Sequence, residues 1–176
     1  MSKYFKSLLP ILLQQNKKDE SIVIIEPRFL LFVLTFLKKH FGFRFNLLSY
    51  IAGVDLINLT YRFCVVYDLL SVKYNFRIRI KVFLSEITPI FSCVNVFINA
   101  NWWEREVWDM FGIYFEDHPD LRRILTDYGF EGYPLRKDFP LSGYLELFYN
   151  ENKKQIVVEP LELTQDFRFF NFEVPW

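Results

Sequence analysis

YNFRIRIKVFL, Tyr74 to Leu84, is the stretch that decides the fold. Tyr74, Phe76, Ile78, Ile80, Val82 and Leu84 alternate with Asn75, Arg77, Arg79 and Lys81, so one face is apolar and the other cationic. A period of two is the signature of a strand buried on one side. It predicts a half-buried antiparallel strand whose cationic face meets solvent or an acidic partner. Just upstream, Tyr61, Phe63, Val65, Tyr67 and Leu69 alternate with Arg62, Cys64, Val66 and Asp68, a second strand. The apolar run from Leu47 to Leu59 holds a third, and SIVII at Ser21–Ile25 a fourth.

Helices flank these strands. Pro27 suits a first helical position, where its missing N–H costs nothing, and RFLLFVLTFLKK follows it. Lys38 and Lys39 favour the negative end of that helix's dipole, and His40 reads as its C-terminal cap. A short helix is expected over 4–15, interrupted by Pro10. In NWWEREVWDMFG, Asn101 and Glu104 have capping-box spacing and Gly112 can end the helix. Trp103, Val107, Met110 and Phe111 fall on one of its faces. The fold class is therefore α+β: a small, mostly antiparallel sheet with flanking helices, followed by a long extended C-terminal segment. Two regions are expected, an α+β domain over 1–112 and an extended segment and tail over 113–176. Apart from a helical turn at Asp120–Leu125, residues 113–144 read as irregular. A loop that long is functional or draped over another protein.

Composition bounds the function. The chain has 176 residues, 52% hydrophobic and 24% charged, which excludes a disordered chain and a disulfide framework. Its 21 basic and 21 acidic residues cancel, which excludes a free nucleic-acid binder. The balance is uneven: residues 1–100 are basic, 101–140 and 141–176 acidic. Two regions with different neighbours are implied. Phe, Ile, Asn, Lys and Tyr are in excess while Ala, Gly and Pro are scarce, the mark of an A/T-biased genome such as an organelle's. The longest apolar stretch, Phe29–Leu37, is too short to span a membrane, which takes about 20 residues. Membrane contact is therefore expected only through partners. Lys3, Lys6, Lys17 and Lys18 suit a transit peptide, but no Arg stands among them.

The usual chemistries find little footing. Neither phosphate-binding glycine motif occurs among the six glycines. Cys64 and Cys93 form no C-x-x-C pair, and His40 and His118 lack metal partners in sequence. Glu104, Glu106, Asp109, Glu116, Asp117, Asp120, Asp127 and Asp138 crowd one stretch and offer paired carboxylates. Arg105, Arg122, Arg123, Arg136 and Lys137 are interleaved with them, which points to ion-pair networks and an interface.

That stretch carries a resemblance. NWWEREVWDMFGIYFEDHPDLRRILTDYGFEGYPLRKDFPLSGY, Asn101 to Tyr144, closely resembles the signature of the thirty-kilodalton core subunit of respiratory NADH:ubiquinone oxidoreductase (complex I), also known as NADH dehydrogenase subunit 9. The tail EPLELTQDFRFFNFEVPW, Glu159–Trp176, resembles the end of the mitochondrial members, and residues 62–89 resemble the family's N-terminal domain more loosely. Tyr133 stands where the family usually has His, so a histidine there is not needed for proton handling in this chain and a packing role is favoured.

The resemblance implies a subunit of the proton-translocating NADH:ubiquinone reductase with no active site of its own, scaffolding the quinone-reducing module in the matrix arm. FMN, iron–sulfur clusters, NADH and ubiquinone would belong to other subunits. Partners would be the large quinone-site subunit (the forty-nine-kilodalton family) and neighbouring iron–sulfur subunits, with no nucleic acid and no homo-oligomer. The place implied is the matrix side of the mitochondrial inner membrane. Interface or structural roles fall to Glu104, Arg105, Glu106, Asp109, His118, Asp120, Arg122, Arg123, Asp127, Arg136, Lys137 and Asp138. The aromatic FRFFNF of the tail is expected to anchor on a partner. Two alternatives stand beside this reading: the equivalent subunit of a plastid or cyanobacterial ferredoxin–plastoquinone complex, and a stand-alone carboxylate enzyme.

Overall fold

In the computed structural model, which describes residues 8–16, 20–170 and 172–174, the alternation at 74–84 becomes strand β5, Phe76–Leu84. Ile78, Ile80, Val82 and Leu84 are buried on one face and Arg77, Arg79 and Lys81 line the other. β4 (Phe63–Ser71) pairs with β5 antiparallel and β2 (Glu20–Ile25) pairs with it parallel. β1 (Leu13–Asn16) and β3 (Leu47–Asp55) form the edges, both antiparallel to their neighbours. The result is a five-stranded sheet of order β1-β2-β5-β4-β3 with β5 at its centre.

The acidic partner of the cationic face turns out to be internal. Asp68 of β4 lies opposite Arg79, is buried, and takes Arg77 Nη1 at 3.2 Å and Arg79 Nε at 3.7 Å. A buried carboxylate is tolerable only when paired, which explains why two arginines flank it.

Of the helix expected over 4–15, residues 4–7 lie outside the described residues, and Leu13–Asn16 is strand β1 instead. Pro10 disfavours a helical Leu9 and lacks an N–H, and Leu12 N–H joins Ile24 O at 2.9 Å. Pro27–Phe29 forms a 3-10 turn that leads into α1, Leu30–Lys39. Leu30, Val33, Leu34 and Leu37 are the buried stripe of α1, and His40 caps it with its N–H on Phe36 O.

The second helix, α2, spans Ala100–Phe111 and ends at Gly112, whose left-handed φ of 75° and N–H to Trp108 O make the expected glycine cap. Its start differs from expectation. Asn99, not Asn101, is the cap residue; its amide donates to Leu48 O at 2.8 Å, and Glu104 turns inward. Tertiary contacts override the local capping box. Val107, Met110 and Phe111 pack on β3, where Gly53 is essential to the fit: a Cβ there would sit 2.5 Å from the Phe111 ring.

After α2, Phe115–Glu116 (β7) pairs parallel with Ile90–Phe91 (β6), and Ile113 and Phe115 join the core. The helical turn expected at Asp120–Leu125 does not form. The chain separates into two compact units, Met1–Lys137 and Asp138–Trp176. The second unit, Asp138–Trp176, contains a hairpin of β8 (Leu145–Asn150) and β9 (Gln155–Pro160) where only an extended segment was expected. No helix among the described residues is long and apolar enough to cross a membrane.

Candidate functional site

Residues 113–137 are stitched to the rest of the first unit by the charged residues of the signature. Asp109, fully buried on α2, is the principal tie. Its Oδ2 accepts the backbone N–H groups of Ile124 (3.1 Å), Leu125 (2.7 Å) and Thr126 (2.9 Å). Its Oδ1 accepts the Thr126 hydroxyl at 2.6 Å and Arg123 Nη1 at 3.1 Å. With their N–H groups on Asp109, Ile124 and Leu125 do not bond back to the carbonyls of residues 120 and 121, as a helix over 120–125 would require. Burial raises the Asp109 pKa, but these hydrogen bonds outweigh it and bring the group to about 2.

Arg123 and Arg136 continue the tie. Arg136 Nε donates to Phe111 O at 2.7 Å, and Arg105 reaches the carbonyls of Arg122 (3.1 Å) and Arg123 (3.3 Å). Tyr133 lies among them, with the Arg136 guanidinium 4.6 Å and the Arg123 guanidinium 5.1 Å from its ring centre and Trp108 edge-on at 5.8 Å. Such cation–π contacts require an aromatic face, consistent with a packing role at this position.

Glu104 is the second buried tie. Its oxygens accept the Ser92 hydroxyl at 2.6 Å and the Cys93 N–H at 2.7 Å. Burial pushes its pKa up, and the bonds from Ser92 and Cys93 only partly counter it. The His118 side chain is fully buried beside it, Nε2 3.7 Å from Glu104 Oε2. Asp120 N–H donates to His118 Nδ1 at 3.1 Å, so the ring proton sits on Nε2, aimed at Asn101 O at 3.3 Å. His118 is a strut of the fold.

A third tie was not legible in the sequence. Asp55, at the end of β3, holds Arg62 in a two-point fork (2.8 and 2.9 Å) and accepts Lys137 N–H at 2.8 Å. The Arg62 bond, above all, draws the Asp55 pKa down against the opposing effect of burial. Lys137 is 82 positions away, and no spacing rule reaches that far.

The twelve signature residues therefore split. Glu104, Arg105, Asp109, His118, Arg123 and Arg136 tie the chain to itself. Asp120 and Arg122 form an exposed pair at 2.9 Å, and Asp127 caps Tyr128 N–H at 2.7 Å. Glu106 is half-buried, and Lys137 and Asp138, the latter in the second unit, are exposed. Between these outward charges stand Leu125 and Tyr128, both exposed, a mixed apolar and charged strip along the segment. A strip of that composition is an interface type.

The two most buried carboxylates of the signature are held in fixed contacts. Asp109 is a fixed anion and Glu104 is sealed in the core. A cavity of about 740 Å³ near Ile24, Pro27 and Phe83 has Glu26 as its one carboxyl, already paired with Arg28 at 2.6 Å. Cys64 and Cys93 are both buried, and burial pushes Cys64 to about 11 and Cys93 well above the usual thiol range. Among the described residues no group of three or more His, Cys, Asp or Glu is placed to hold a metal ion.

Comparison with known proteins bears on this geometry. A family model described as "Respiratory-chain NADH dehydrogenase, 30 Kd subunit" matches residues 23–145. NADH dehydrogenase (ubiquinone) iron-sulfur protein 3 of Marchantia polymorpha is 56% identical over 178 residues, covering 98% of this chain and 91% of its own. NADH-ubiquinone oxidoreductase subunit 9 of Reclinomonas americana is 53% identical over 159 residues, covering 90% and 78%. A chain in the structure of the membrane-bound sulfane sulfur reductase, an archaeal respiratory membrane complex, shares the fold with a TM-score of 0.67 at 21% identity, covering 79% of this chain and 82% of that one.

Proposed function

The chain belongs to the family of the 30 Kd subunit of respiratory-chain NADH dehydrogenase, and we propose that its own work there is to hold neighbouring subunits in place. It is a core subunit of NADH:ubiquinone oxidoreductase, an enzyme complex of many chains associated with a membrane. The electron carriers and both substrates would be bound by other subunits: FMN, the iron–sulfur clusters, NADH and ubiquinone. The partner face would meet the large quinone-site subunit, with the cluster-bearing subunits close by. The chain would sit peripherally on the matrix side of the mitochondrial inner membrane, reaching the membrane only through the complex.

One observation carries this reading. The signature's inward charges are satisfied within the chain, and the outward ones share an exposed strip with Leu125 and Tyr128. Fixing a loop by internal ties before a partner arrives lowers the entropy lost on docking. Carboxyl-to-amine cross-linking of the intact complex tests it. Asp120 and Asp127 are expected to link to lysines of the large quinone-site subunit. If both remain as open to reagent in the complex as in the free chain, the strip is not a docking face.

A further inference from the structure

We propose that the open edge of β3 receives an extended segment of another subunit, which adds a sixth strand to the sheet and sets a basic side chain against Glu106. This rests on the chain's membership of a complex, but not on the outward strip at 120–128.

The ladder's phase sets which groups of β3 face away from β4, although Ile51 itself is only 3% exposed. Leu56 N–H bonds to Arg62 O at 2.7 Å, continuing the β3–β4 register. In an antiparallel pair the bonded residues alternate, so Tyr50, Ala52 and Val54 bond to β4, while Ile51 and Gly53 turn their N–H and C=O outward. Among the described residues no strand lies beyond β3 and none of these outward groups has a partner. Soluble proteins blunt such edges with charge, proline or a bulge. The stretch SYIAGV, 49–54, has no charge and no proline, and the bulge between Leu48 and Tyr50 leaves 50–55 in continuous register.

A groove of about 400 Å³ runs beside that edge, lined by Tyr50, Ile51, Gly53, Trp103, Glu106 and Leu135 among others. Just before the stretch, the Asn99 amide donates to Leu48 O, and Leu135 in the groove's lining is held by its N–H on Met110 O. The stretch 49–54 spans roughly 20 Å of extended chain. Main-chain bonds along an edge with pockets for alternate side chains are how strand addition achieves affinity and specificity.

The lining identifies the occupant. It is apolar except for Glu106, which has no hydrogen bond or ion pair among the described residues. A mostly apolar segment carrying one Lys or Arg satisfies both features. A second copy pairing through β3 does not, because LLSYIAGVD contains no basic residue.

Amide hydrogen exchange on the free full-length chain and on the intact complex tests this residue by residue. In the complex, the Ile51 and Gly53 amides are expected to exchange at least about 100-fold more slowly than in the free chain, with Ala52 and Val54 slow in both. Equal, fast exchange of Ile51 and Gly53 in both states overturns the proposal. So does slow exchange in the free chain, which would mean the chain itself or a second copy closes the edge. In complex carrying Glu106→Lys, protection of Ile51 and Gly53 should fall while Ala52 stays protected, and Glu106→Gln should retain most of it. Protection unchanged in Glu106→Lys removes the basic partner from the account.

Discussion

Asp109→Ala is expected to lower the stability of the free chain by about 3–5 kcal/mol and to abolish assembled complex. The substitution strands three backbone amides, the Thr126 hydroxyl and the Arg123 guanidinium in a site built around one carboxylate. For a chain of this size, that loss corresponds to a fall in melting temperature of roughly 10 °C. Asp109→Asn keeps one acceptor oxygen but turns an NH2 toward donors, so it should lie between alanine and the parent chain.

The carboxylate also has a pH signature. The folded-state pKa is about 2 against an ordinary value of 3.8, held down by the bonds from Thr126, Leu125 and Ile124 despite the opposing effect of burial. A depressed acid contributes stability that is fully present above its unfolded pKa and is lost as pH falls through the folded one. Urea midpoints of the parent chain should therefore drop between about pH 4 and pH 2 more steeply than those of Asp109→Asn. Parallel curves would show that the carboxylate is not the tie.

Ending the chain at Lys137 is the second large effect. The truncated chain should stay folded, with its urea stability changed by less than about 1 kcal/mol, yet be missing from the complex. The core cluster runs from Leu9 to Phe115, with Leu121 packed against it, so none of it is removed. What goes is a unit rich in exposed apolar side chains. On the hairpin, Leu145, Leu147 and Tyr149 face Pro160, Val158 and Ile156, and Leu147 and Ile156 remain 58% and 68% exposed. Phe167, Phe169, Phe170 and Phe172 are exposed as well. A two-stranded hairpin is marginal in water unless its face is covered. Native gels showing the truncated chain in a complex of normal abundance would make the second unit dispensable.

Sequence patterns reached some of this and not the rest. The period-two alternation at 76–84 and the apolar stripe of Trp103, Val107, Met110 and Phe111 are local signals, and both elements form. The hairpin at 145–160 was hidden because its turn, ENKK, has no glycine; Lys154 takes the positive φ of 52° instead. Capping-box spacing misassigned Glu104, because Ser92 and Cys93, brought close only by the fold, compete for its carboxylate. The same limit explains Asp55, whose partner Lys137 is distant in the chain. Residue types marked the signature segment as ionic; only the fold separates the charges that tie the chain to itself from those that face outward.

NADH:quinone turnover per assembled complex in Arg123→Glu separates a subunit that only organises the complex from one that takes part in its chemistry, because Arg123 joins Asp109 to the rings of Phe130 and Tyr133. For an organising subunit, native gels are expected to show much less full-size complex, while turnover per surviving complex stays within about twofold of the parent. Full-size complex at normal abundance with quinone reduction strongly depressed would contradict that role and give the segment a direct part in the reaction.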